Sequence, residues 1–297
     1  MNFPTLPRVA VLVTCFNRVQ VTLPNIGALM AALDKSNVSY DVHLLDDASP
    51  DGTGAKVHAS YPQVNVQLSE GNLFWNRGMH RIYLEARRHG PYDGYLLFND
   101  DVAVDAEAVV RFVDRWVALN DEQPTTLVGA TLATDGSKTT YSAYRVLSRH
   151  RPLNLTHIEP GAGARQADTF NANFVLVPGP TLDEFGGTDP HYWHGYGDID
   201  LGLSILRKGQ RLLLSEGWIG RCDVLLPLRR SRHGLFRRLR LGLTGRNDPR
   251  QHAYLVWKHA ENRAIAVLVI LAMLAKRIRL LVANGPHLLS SSPDARD

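Results

Sequence analysis

Three pairs of acids stand where an apolar stretch meets a polar one. Asp100 and Asp101 come directly after Gly94–Asn99 (GYLLFN), Asp46 and Asp47 close the run YDVHLLDD, and Asp198 and Asp200 open a helical stretch. Adjacent carboxylates at a strand end can hold a divalent ion, magnesium or manganese, and bridge it to a diphosphate. A carboxylate at the end of the second run can accept hydrogen bonds from a base N–H or a ribose hydroxyl. A carboxylate at the third position can act as a general base. Each pair also has a plainer reading, as turn residues in the first two cases and as a helix cap in the third. Tyr192-Trp193-His194-Gly195-Tyr196-Gly197 precedes the third pair. Aromatic faces suit sugar rings and glycines permit close backbone approach, so Trp193, His194 and Tyr196 are candidates for contacting an acceptor.

These residues need a scaffold that gathers them. Arg8–Phe16 is a continuous β-branched and apolar run, as expected of a strand buried on both faces. Helical spacing follows over Val19–Leu33, then strands over Tyr40–Asp47 and Val64–Leu68. A helix over Asn76–Arg88, a strand over Gly94–Phe98 and a helix over about Asp105–Leu119 complete the first half. Strands alternating with helices of this length predict an α/β fold with a mostly parallel central sheet flanked by helices. Ligands in such sheets bind outside the carboxyl ends of the strands, where Thr14, Asn17, Arg18 and the first two acid pairs lie. The second half is less regular. Strands are expected over Thr126–Thr134, Thr140–Leu147, Phe174–Val177 and Arg211–Leu214, with a helix over Asp198–Arg207.

The pieces occur in an order that resembles the inverting family 2 glycosyltransferases of GT-A fold, especially the bacterial rhamnosyltransferase-like branch. The motifs are VTCFNR (Val13–Arg18), LLDDAS (Leu44–Ser49), GNLFWNRGM (Gly71–Met79), LFNDDV (Leu97–Val102), FVLVPG (Phe174–Gly179), DEFGGTD (Asp183–Asp189) and GYGDIDLGLSILRKG (Gly195–Gly209). The resemblance implies transfer from a nucleotide-sugar donor, with dTDP-rhamnose as the candidate, to a glycan or lipid-linked acceptor. Thr14, Phe16, Asn17, Arg18, Asp47 and Asn76 would serve the nucleotide-sugar, with Asp47 on the base. Asp100 would contact ribose or diphosphate, Asp101 would ligate Mg²⁺ or Mn²⁺, and Asp198 would be the catalytic base. Three positions depart from the family pattern. Asn99 replaces the first acid of its triplet, Gly197 replaces the acid before the base, and Arg221-Cys222-Asp223 stands near where some members supply a metal-binding histidine, the nearest later one being His233.

Composition narrows the alternatives. The chain has 297 residues, 44% apolar and 21% charged, with a net charge of +4, enough for one large α/β domain with an appendage. No G-x-G-x-x-G follows the first strand, no G-x-x-x-x-G-K-[ST] occurs and no G-x-S-x-G elbow is present, which argues against dinucleotide-binding, P-loop and α/β-hydrolase enzymes. A sugar-phosphate nucleotidyltransferase would use a similar sheet and metal, but its glycine-rich first loop is missing. A carbohydrate- or lipid-binding module on a transferase fold is the non-enzymatic alternative. Two cysteines, Cys15 and Cys222, make no disulfide framework or zinc site, and no nucleic-acid motif appears.

Residues 1–220 are read as the catalytic domain and 221–297 as a basic, partly helical extension. Six arginines and no acid fall between Arg229 and Arg240, a footprint for anionic partners such as a membrane surface. The run Ala264–Ala275 is shorter than the roughly 20 residues of a span and fits an interfacial helix as well as a buried core helix. MNFPTLPRV lacks the layout of a signal peptide, so the expected location is the cytoplasm, with peripheral attachment at the inner membrane face as the companion expectation.

Overall fold

The computed structural model describes residues 6–193, 195–224 and 248–283. His194, the arginine block, His233 and the last residues lie outside these. The elements run β1 (Arg8–Cys15), α1 (Val19–Leu33), β2 (Ser39–Asp46), α2 (Thr53–Ser60), β3 (Asn65–Leu68), α3 (Phe74–Ala86), β4 (Gly94–Asn99), β5 (Ala103–Val104), α4 (Ala106–Glu122) and β6 (Thr125–Leu132). There follow β7 (Thr139–Tyr141), β8 (Ala143–Val146), β9 (Leu155–Ile158), β10 (Arg165–Gln166), β11 (Thr169–Phe170), β12 (Phe174–Pro178), α5 (Gly179–Phe185), α6 (Gly197–Arg207) and β13 (Arg211–Arg221). Two helices complete the described chain, α7 (Pro249–His259) and α8 (Arg263–Ala283). The chain divides into two compact units, Met1–Arg145 with His157–Cys222, and Val146–Thr156 with Asp223–Asp297.

The first unit is built on a sheet of order β10-β13-β6-β12-β4-β1-β2-β3. β1 pairs in parallel with β2 and β4, β2 with β3, and β6 with β13. β12 is antiparallel to both β4 and β6, so β6 and β13 point the same way as the first four strands. A small sheet, β11-β8-β9, stands beside it.

The apolar continuity of β1 is explained by cover on both faces. Val9, Val11 and Val13 enter one core with Ile26 and Leu29 of α1 and Phe112 and Trp116 of α4. Ala10 and Leu12 enter the other, with Met79 and Ile82 of α3, Leu182 of α5 and Leu201 and Ile205 of α6. Successive side chains of a strand point to opposite faces, so helices packed on both sides require every residue to be apolar. α4 shows the matching helical pattern. Its buried Ala108, Val109, Phe112, Val113, Trp116 and Leu119 form one stripe, and Asp105 caps its start by accepting from the Ala108 N–H at 2.9 Å.

Beyond β5, β9, β10, β11 and α5, short elements with no counterpart in the sequence expectation, the structure differs from that expectation in three places. α2 has little apolar patterning of its own (TGAKVHAS). It is held by neighbours, because Asp46 accepts from the Gly54 N–H at 2.8 Å and Asp51 from the Thr53 N–H at 3.0 Å. The strand expected over Thr140–Leu147 breaks at Ser142 into β7, paired with β6, and β8, in the small sheet. β13 runs to Arg221 instead of stopping at Leu214, because irregularities between Leu214 and Gly220 interrupt the alternation without ending the pairing. Gly220 lies against the Ala103 carbonyl of β5 with no space for a Cβ.

In the second unit α7 begins at Asp248, whose carboxylate accepts from the Arg250 N–H at 2.8 Å. Asn262 starts α8 by accepting from the N–H groups of Ala264 and Ile265. Val256 and Ala260 of α7 pack on Ala266, Val269 and Ile270 of α8. The opposite side of α8 is exposed, so it is not a fully buried core helix. Among the described residues, no helix is long and apolar enough to cross a membrane.

Candidate functional site

The register sets Thr14 beside Asn99 and Cys15 beside Asp46, so the loops after β1, β2 and β4 open at one edge of the sheet. Among the described residues, five non-glycine residues have positive φ: Asn17, Ala48, Asn72, Phe74 and Tyr196. They lie in the loops after β1, β2 and β3, at the first residue of α3 and directly before α6. Strained backbone of this kind persists where its surroundings over-determine it, and it gathers at functional sites.

Arg18 links the first and fourth strands. Its Nη1 donates to Asp101 Oδ2 at 3.0 Å and its Nε lies 3.3 Å from Asp100 Oδ2. Asp100 is only 1% exposed and also accepts from Thr22 Oγ1 at 2.5 Å. The carboxylate expected to touch ribose or diphosphate is thus turned into the fold, where it anchors Arg18 and α1. Asp101 keeps 24% of its side chain accessible. Its Oδ1 lies 3.6 Å from the Sγ of Cys222, which is buried at the end of β13, and Asn173 Nδ2 approaches the same sulfur at 3.9 Å.

Two residues expected at the nucleotide hold loops in this structure. Asp47 is buried, and its carboxylate accepts from Ser69 Oγ at 2.6 Å and from the N–H groups of Leu73 and Phe74. It pins the loop between β3 and α3. Asn76 is fully buried and its Nδ2 donates to the carbonyls of Asp189 and Tyr192 at 2.7 and 2.9 Å. It ties α3 to the segment before α6. The departure at Gly197 follows from the same contact, since a Cβ there would overlap Asn76 Oδ1. Thr14 is buried against Gly78 of α3. Phe16 is half-buried and Asn17 exposed at the rim, with the Asn17 N–H donating to Ser49 Oγ at 2.9 Å.

The third acid pair separates into two roles. Asp200 is buried and accepts from the Tyr192 hydroxyl at 3.0 Å. Asp198 lies in the first turn of α6, where the Ile199 N–H donates to its Oδ1 at 2.8 Å. Asn171 Nδ2 and the Ala172 N–H reach its Oδ2 at 3.2 and 3.4 Å. Burial pushes the Asp198 carboxyl above the usual aspartate range, and these hydrogen bonds oppose the shift. Tyr141 is within electrostatic reach of this carboxylate and of Asp101. Its hydroxyl pKa is raised chiefly by burial and also by Cys222, Asp101, Tyr144 and Asp198, so it lies in the field of both acids. Trp193 packs on Phe74 and takes the Arg77 guanidinium over its ring at 4.1 Å, and Tyr196 tilts against Tyr192.

Tyr141, Asn171 and Tyr144 escape sequence reading. A sequence signal for Asn171 is the pair of asparagines around Ala172, directly before the apolar β12. The Tyr144 hydroxyl donates to Asn171 Oδ1 at 2.5 Å, which fixes the amide so that its Nδ2 faces Asp198. Because that amide favours the charged carboxylate, Asn171→Ala is expected to raise the Asp198 pKa further. Tyr144→Phe is expected to move it less, in the same direction. Titration of the Asp198 carboxyl carbon resonance reads both, and an unmoved midpoint in Asn171→Ala would exclude the hydrogen bond as a tuning contact.

No family model matches the chain, and no curated protein matches it. Solved structures do. Residues 1–349 of S. aureus TarS superpose with a TM-score of 0.52 at 14% identity, over 93% of this chain and 72% of that one. GalNAc-T7, solved with UDP, GalNAc and Mn²⁺, gives 0.53 at 12% identity, over 72% of this chain and 43% of that one. The fold is GT-A. In the GT-A frame Asp101, Cys222, Tyr141 and Asp198 all belong to the first unit. The chain spans less than half of the GalNAc-T7 structure it matches.

Proposed function

We propose that this chain is a glycosyltransferase that moves a hexosyl or deoxyhexosyl group from a nucleotide-sugar to a glycan or lipid-linked acceptor, with inversion. The observation that carries the reading is the Asp198 carboxylate. It is raised by burial, oriented by Asn171 and Ala172, and shares a neighbour, Tyr141, with Asp101. A carboxylate lifted toward neutrality is suited to take a proton at its working pH. In the proposed step Asp198 accepts the proton of an acceptor hydroxyl as that oxygen forms a bond to the anomeric carbon. The bond from that carbon to the diphosphate oxygen breaks on the opposite face, and its electron pair leaves with the nucleoside diphosphate. The main work of the protein is to hold the two substrates in line. Membership of family 2, the rhamnosyltransferase-like branch and dTDP-rhamnose as donor belong to this proposal, supported by the seven motifs. A catalytic role for residues 1–220, with 221–297 as an extension, belongs to it as well.

Among the described residues no cluster of three His, Cys, Asp or Glu side chains is placed to ligate a metal. Magnesium and manganese are held by one or two carboxylates and complete their shell with substrate phosphates. Asp101 is the partly exposed carboxylate that would hold such an ion, beside the Cys222 sulfur. A bound divalent cation would offset charge on the leaving diphosphate. The UDP and Mn²⁺ of the GalNAc-T7 structure support a nucleotide-sugar donor and a metal here by analogy of fold.

The deciding experiment is thermal-shift and donor-hydrolysis screening against UDP-, dTDP- and GDP-sugars, with and without Mg²⁺ or Mn²⁺. Stabilisation by one donor that requires the ion is the expected result, and no response to any donor, with acceptor present, counts against a transferase. Asp101→Ala is expected to remove the metal-dependent part of that stabilisation and leave the melting temperature without ligand within a few degrees. An unchanged metal response would take Asp101 out of this role.

A further inference from the structure

We propose that α8 is a membrane-surface helix that lies flat on an anionic lipid bilayer. Ala264, Leu268, Leu271, Ala275 and Ile278 are all exposed. They recur at intervals of four, three, four and three residues and so form one stripe along the helix. The large members are substantially bare, with Leu268 66%, Leu271 57% and Ile278 55% exposed, and Val267 beside them at 45%. The opposite side holds Ala266, Val269 and Ile270 against α7, so the stripe is not the face by which the helix joins its own unit.

Charge and aromatic placement select the occupant. From Arg263 to Ala283 the sequence carries Arg263, Lys276, Arg277 and Arg279 and no acid. Lys276 and Arg279 are exposed. Against a second copy of this helix these cations would meet only cations. Against a lipid surface bearing phosphate they meet opposite charge while the stripe enters the acyl boundary. On α7, Trp257 is 45% exposed with the Arg263 guanidinium 4.7 Å above its ring. Trp is the residue favoured at headgroup level. The cations at the end of the stripe rule out a spanning role and leave an orientation parallel to the surface, about 31 Å long at 1.5 Å per residue. Only α8 and its neighbour enter here, and the reaction assigned above does not.

The test is co-sedimentation of the full chain with phosphatidylcholine vesicles, with and without phosphatidylglycerol. Binding to the anionic vesicles that weakens as salt rises is expected. Leu268→Glu combined with Leu271→Glu should reduce it by roughly tenfold or more, since charge replaces buried apolar surface. Lys276→Glu combined with Arg279→Glu should reduce it by about thirtyfold or more, since the two lost cations alone account for about 2 kcal/mol. All four positions are exposed, so circular dichroism and thermal melting of both variants should match the parent chain. Failure to bind anionic vesicles, binding that is equal on neutral vesicles, or binding unchanged in the Leu268/Leu271 variant overturns the proposal. A concentration-dependent dimer in light scattering that the same variant abolishes overturns it too, by assigning the stripe to a second copy.

Discussion

Asp198→Asn is expected to lower sugar transfer by about 10²–10⁴-fold, the usual contribution of a positioned general base, and to leave donor binding nearly intact. The amide keeps the shape of the carboxylate and an oxygen for the Ile199 N–H, but it cannot take the acceptor proton. The same substitution also changes how stability depends on pH. Burial raises the pKa of Asp198 in the folded chain, so the folded state binds its proton more tightly than the unfolded state does. At pH values above the raised folded value both states are ionised and folding carries the cost of a buried charge. As pH falls from the folded toward the unfolded pKa that cost disappears. A neutral amide carries no such cost, but it turns its Nδ2 toward the Asn171 and Ala172 donors and loses those bonds at every pH, so the melting temperature of the variant relative to the parent chain should be lowest at acid pH and rise as pH rises through that window. Paired measurements of transfer rate and melting temperature against pH check both halves. Loss of donor binding together with transfer, or a melting-temperature difference that stays constant across that window, would remove Asp198 from the role of a base with a raised pKa.

Gly197→Ala should cost about 1–3 kcal/mol of stability, the range for overpacking a filled site. The added methyl group overlaps the Asn76 amide oxygen. That amide cannot swing away without giving up its hydrogen bonds to Asp189 and Tyr192. Thermal denaturation should show a drop of several degrees. Combining Gly197→Ala with Asn76→Ala should cost less than the sum of the two single changes, because the second removes the atom with which the first collides. A fully additive double variant would show that the two side chains do not share this space. Replacing Gly197 by the acid expected from the family pattern would meet the same obstacle with a larger side chain.

Much of the scaffold is legible in the sequence because its signals are local or periodic. Val19–Leu33 reads as a helix and is one over those same residues, since its apolar spacing matches the face it buries. β1, β4 and β12 read as strands because burial on both faces leaves uninterrupted apolar runs. α2 is not legible, because its own residues carry little apolar pattern and its start is held by Asp46 at the end of β2 and Asp51 in the preceding turn. The site is legible in part, for a related physical reason. Residue type and position mark the acids, but only packing shows which of two adjacent acids faces inward. Of the pair after β4, Asp100 is turned into the fold by Thr22 and Arg18, while Asp101 stays accessible. Of the pair at α6, Asp200 answers a buried tyrosine and Asp198 meets an asparagine from a distant loop. Tyr144 carries no sequence signature for this task and Asn171 only the pair of asparagines before β12, because their importance arises from where β8 and β11 bring them.

Because six strands send their carboxyl ends to one edge, the chain keeps its structural inheritance apart from its chemical inheritance. The two cores ask only for apolar residues of suitable volume, a demand that many sequences meet. The loops at the edge ask for particular atoms in particular places. Drift can therefore rewrite the interior while its shape endures, as the superpositions at 12 and 14% identity illustrate. Changes of substrate can meanwhile be tried in the loops without reopening the problem of folding.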